Sequence, residues 1–82
     1  MPKIIKHDGF LIMIMLNDHR PPHVHVVKDN GRARITLGSK LERPTLKEAF
    51  GMKDRDLKKS LELVIEHQEK LIEAWEKYHG KI

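Results

Sequence analysis

Eighty-two residues without a single cysteine leave room for one small core, and they exclude disulfides and thiolate zinc sites. The longest apolar run, Phe10 to Leu16, is far too short to cross a bilayer, and no leader pattern precedes it, so a soluble cytoplasmic protein with no membrane role is expected. The net charge of +4 is uneven: residues 1–53 hold ten Lys and Arg against five Asp and Glu, whereas residues 54–82 hold six against seven. The basic front half also carries four of the six histidines, and it suits phosphate or an acidic partner as well as plain solvation. A core this small often needs a staple, which here leaves histidine-bound metal or self-association, including a homodimer.

Lys3 to His7 reads as a short strand, and Asp8-Gly9 as a hairpin turn. Phe10 to Leu16 is the second strand, followed by a loop, Asn17 to Pro22, in which Pro21-Pro22 forbids a ladder. His23 to Asp29 and Arg32 to Leu37 are the third and fourth strands, joined by the strong turn dipeptide Asn30-Gly31. A two-residue loop there pairs Val26 with Ile35 and Val24 with Leu37. Val24, Val26, Ala33, Ile35 and Leu37 then share one face, and His23, His25, Val27, Arg32, Arg34 and Thr36 share the other. The second strand is apolar on both faces, so Met13 and Met15 need a cover, either the segment 39–52 folding back or a second chain.

Residues 39–52 read as a connector, in which Thr45-Leu46-Lys47-Glu48 has the spacing of a capping box and opens one helical turn. The last third predicts one helix over 54–79, with Asp54 as N-cap and Gly80 as its stop. Its stripe is Leu57, Leu61, Val64, Leu71, Trp75 and Tyr78, widened by Ile65 and Ile72, with Gln68 in the one polar place. Such a helix spans about 39 Å, so the end carrying Trp75 and Tyr78 overhangs the sheet and meets a partner, unless Trp75 is a core anchor. The expected fold is α+β: a single domain over 1–82, with a four-stranded antiparallel meander over 3–38 and one long helix on one face.

The stretch Asn17-Asp18-His19-Arg20-Pro21-Pro22-His23-Val24-His25-Val26 resembles the signature of a bacterial family, domain of unknown function 4160. Asp8-Gly9-Phe10 and Ala74-Trp75 match its opening turn and closing helix, so the resemblance runs along the whole chain. It implies a gene context like that of a toxin–antitoxin pair, with a small cognate protein from a second family, numbered 2442, encoded nearby. It implies no catalytic residue.

Three readings of the histidine segment stay open. In the first, His19, His23 and His25 supply general acid and base to RNA, with Asp18 to orient a base and Arg20, Arg32 or Arg34 to hold phosphate. Many small toxins are metal-free ribonucleases, and that analogy supports this reading. In the second, His23 and His25, about 7 Å apart along one strand face, join His19 or Asp18 around a divalent metal such as zinc. In the third, the histidines bond backbone groups or line an interface with the cognate protein. His67 is read as solvated and His79 as complementing the helix dipole, with no function for either.

Overall fold

The computed structural model describes residues 3–15, 19–39 and 41–80. Asp8 and Gly9 both take positive φ, 49° and 82°, as a type I′ turn demands, and they join β1 (Lys3–His7) to β2 (Phe10–Met13). β3 (His23–Lys28), β4 (Gly31–Thr36) and β5 (Thr45–Phe50) continue an antiparallel sheet in the order β1-β2-β3-β4-β5. Two helices follow, α1 (Asp54–Glu66) and α2 (Gln68–His79).

The sheet thus has five strands, not four. The local capping-box pattern of Thr45 to Glu48 loses to the open edge of β4, whose unpaired amides and carbonyls are satisfied by adding a strand. Nor does segment 39–52 fold back over Met13 and Met15, which stay half-buried.

The turn between β3 and β4 is Asp29-Asn30, not Asn30-Gly31, with Asp29 at φ 54°. Val26 therefore faces Ala33, and Val24 faces Ile35. Gly31 serves a different purpose: a Cβ there would stand 2.6 Å from the Gly51 carbonyl oxygen and 2.8 Å from Met52 Cα. Only glycine admits that close approach of β4 to the chain leaving β5. Because the pairing slips by an even number, the expected division survives for Val24, Val26, Ala33 and Ile35 against His25, Val27, Arg32 and Arg34; His23, expected on the polar face beside His25, is instead buried, its ring against Trp75.

Phe10, Ile12 and Ile14 from the β2 segment, Val24 and Val26 from β3, and Ile35 and Leu37 from the β4 segment form one side of the core. Leu63 and Val64 of α1 and Leu71 and Trp75 of α2 form the other. The helices therefore cover one face of the sheet.

The expected single helix is interrupted at His67, whose φ of −108° and ψ of 19° leave helical geometry. Gln68, the polar place in the stripe, explains what the interruption achieves. Its Nε2 donates to the carbonyls of Leu37 at 2.7 Å, Ser39 at 2.9 Å and Glu42 at 2.9 Å, tying the β4–β5 connection to the start of α2. The buried stripe also differs from the expected one. Leu63 is 2% exposed, while Ile65 and Tyr78 are each 40% exposed. The N-cap of α1 is Lys53 and makes no side-chain cap; Asp54 and Asp56 lie in the first turn, where their charge suits the dipole. No helix among the described residues is long and apolar enough to cross a membrane.

Candidate functional site

The histidine segment divides between two environments. Asn17 and Asp18 lie outside the described residues. His19 and Arg20 are exposed on the loop. Leu37 N donates to Pro22 O at 2.9 Å, seating the Pro-Pro turn against the end of β4. His23 is 6% exposed. Its Nδ1 lies 2.9 Å from Pro21 O, and since a carbonyl only accepts, this nitrogen carries the proton.

A ring stack surrounds His23. Its ring meets Trp75 at 5.5 Å between centroids, and Trp75 stacks on His79 at 4.0 Å. His79 Nε2 donates to Met15 O at 2.9 Å. His79 thus fastens the last turn of α2 to the chain just beyond β2, a role that nothing in its local sequence announces. Trp75 is fully buried as a core anchor, and its Nε1 has no hydrogen-bond partner among the described residues. His23 also touches His25 edge-on, at 5.2 Å and 71°.

His25 is half-buried on the face of the sheet away from the core residues Val24 and Val26. The ladder sets Met13, His25, Arg34 and Glu48 in one row across β2 to β5. Leu11, Val27, Arg32 and Phe50 form the neighbouring row. Arg34 Nε donates to Glu48 Oε1 at 2.7 Å, with the two side chains 36% and 51% exposed. A shallow concavity of about 190 Å³ is lined by His25, Arg32, Ala33, Arg34, Glu48 and Phe50.

The presence of Glu48 in this row depends on an irregularity. Ile35 pairs with Leu46 and Arg34 with Glu48, so Lys47 is an extra residue on β5. Such a bulge reverses the alternation of the strand beyond it. Leu46 therefore packs against the core with its partner Ile35, while Glu48 and Phe50 join the open face. Without the bulge, a lysine would stand opposite Arg34 and repel it. The only local trace of this strand is six residues, uninterrupted by Pro or Gly, between Pro44 and Gly51.

A family model described as a domain of unknown function (DUF4160) matches residues 9–76. The chain belongs to this family. The comparisons with curated proteins and with solved structures gave no match. The matched stretch of this DUF4160 chain takes in the histidine segment, both rows of the open face and Trp75.

Of the residues singled out in the sequence, the DUF4160 fold gathers His25, Arg32 and Arg34 around one concavity and turns His23 inward against Trp75. His19 and Arg20 do not line that concavity. Among the described residues no group of three His, Cys, Asp or Glu side chains is placed to hold a metal ion, so His19, His23 and His25 do not converge into such a set. What the face does offer is a carboxylate, a guanidinium and an imidazole on three adjacent strands. Such a set can remove a proton, hold an anion and return a proton. Glu48 was not legible as part of it.

Proposed function

We propose that this chain is the RNA-acting member of a toxin–antitoxin-like pair, a metal-free endoribonuclease whose reacting groups are Glu48, Arg34 and His25. The observation that carries the reading is the single row of these side chains on β3, β4 and β5, lining one concavity. Two strand spacings separate the backbones of His25 and Glu48, about 9–10 Å. A phosphodiester fits between side chains that lean inward from such positions.

The Glu48 carboxylate takes the proton of an RNA 2′-hydroxyl. The 2′-oxygen attacks phosphorus, the bond to the 5′-oxygen breaks, and protonated His25 donates to that leaving oxygen. The products are a 2′,3′-cyclic phosphate and a free 5′-hydroxyl. Arg34 holds Glu48 through Nε and turns its remaining guanidinium donors to the phosphate, where negative charge grows in the transition state. His23 is a positioning residue: its Nδ1–H is held by Pro21 O, and its ring packs against that of His25.

The test is cleavage of single-stranded RNA in the presence of EDTA, with analysis of the product ends. Cyclic phosphate termini are expected, and Glu48→Gln or His25→Ala should each slow cleavage by about 10²-fold or more. Unchanged cleavage in both variants, or an absolute need for a metal ion, overturns the reading.

A second reading shares the same face. Leu11, Met13 and Val27 are half-buried there, and Phe50 is 62% exposed. That apolar half suits a non-catalytic module bound by the small cognate protein of the 2442 type. Retained complex formation by a chain that cleaves no RNA would favour it.

A further inference from the structure

The row beside the reacting groups has a chemistry of its own. Phe50 stands at its end on β5, next to Arg32, and at 62% it is the most exposed Phe, Tyr or Trp among the described residues. A second hollow, of about 470 Å³, opens along Val27, Asp29, Asn30, Arg32, Phe50 and Gly51. It meets the first concavity at Arg32 and Phe50, which line both. An apolar ring, a guanidinium and a turn rich in polar groups therefore sit beside the row that carries Arg34, two residues along β4.

We infer that this second hollow seats a nucleobase of single-stranded RNA, stacked on Phe50, and that it favours guanine. The inference rests on the cleavage reading for the position of the phosphate, and adds the base beside it. Aromatic side chains on a sheet face hold unstacked bases through their π-faces, whereas a paired base is already stacked in its duplex. Arg32 complements the phosphate that accompanies the base. Asp29 supplies the selectivity. A carboxylate only accepts hydrogen bonds, so it matches a base edge with adjacent donors. Guanine presents N1–H and the 2-amino group side by side; uracil presents one N–H between two carbonyls. The Asn30 amide, which both donates and accepts, can pair with the neighbouring guanine carbonyl.

The experiment uses the full chain and short 2′-O-methyl RNA oligonucleotides, which bind but cannot be cleaved through the blocked hydroxyl. Binding is followed by fluorescence anisotropy. The wild type is expected to bind a guanine-containing strand more tightly than its uracil counterpart, and a duplex should not compete. Phe50→Ala should weaken binding about tenfold, while Phe50→Tyr, which keeps the ring, should bind nearly as well as wild type. Asp29→Asn, which tolerates the same left-handed backbone, should erase the preference for guanine. Equal binding by Phe50→Ala and wild type overturns the base seat, and it does so even if wild type cleaves RNA normally. If wild type cleaves nothing yet Phe50→Ala loses binding, the cleavage reading fails and the base seat stands. Undetectable binding of any single strand by wild type removes both.

Discussion

The two faces of one sheet differ more than the strands that build them. β3 and β4 send Val24, Val26 and Ile35 to complete burial beneath the helices, and Ala33 to 3% exposure. One residue along, the same strands send His25, Val27, Arg32 and Arg34 to the face away from the described helices. The covered face is a close-packed jigsaw in which shape decides everything. The open face carries polar and charged groups that line a shallow concavity. The difference teaches that stability and the proposed chemistry are separable here, because alternation assigns them to alternate residues of the same strands.

Substitutions on either side test that separation. The largest effect is expected from Trp75→Ala, which removes the biggest fully buried side chain and both ring contacts with His23 and His79. A loss of about 3–5 kcal/mol in denaturant unfolding is expected. On the open face His25→Ala should reduce RNA cleavage by about 10²-fold or more, about 3 kcal/mol in transition-state terms, with an unfolding midpoint close to wild type. A midpoint that falls as far as that of Trp75→Ala would break the comparison.

Gly31→Ala comes next, at about 1–3 kcal/mol, because its Cβ would collide with backbone atoms of Gly51 and Met52 that have no flexible end to yield. Gln68→Ala follows. It strips the amide from three backbone carbonyls, and a loss of about 1–2 kcal/mol is expected by thermal or chemical unfolding. The smallest effect on stability belongs to Phe50→Ala. Its ring is largely in solvent, so the unfolding free energy should move by less than about 0.5 kcal/mol. A larger loss would mean that the open face also bears part of the core's burden.

Much of the architecture was legible because it rests on short-range rules. Asp8-Gly9 announces its turn through the φ values that both residues adopt. The alternation of Val24, Val26, Ala33 and Ile35 announces a buried face whatever the register, since a slip of two leaves every side chain on its own side. The histidine segment pointed to this region of the molecule, and the family model covers it.

What stayed hidden depended on partners distant in the chain. Thr45 to Glu48 has a helix-start pattern, and only the unpaired edge of β4 makes it a strand. The extra residue Lys47, which swings Glu48 to the open face, follows from that pairing and from the need to keep Leu46 in the core. The turn moved from Asn30-Gly31 to Asp29-Asn30 because Gly31 is needed where β4 meets the chain leaving β5. The helix breaks at His67 beside Gln68, which reaches carbonyls about thirty residues earlier in the chain. Sequence alone determined the alternation of the strands and the first turn, because neighbouring residues carry those signals. Only the tertiary structure decided which carboxylate meets Arg34, which histidine is buried and which stays on the open face, because those outcomes follow from the packing of segments that are distant along the chain.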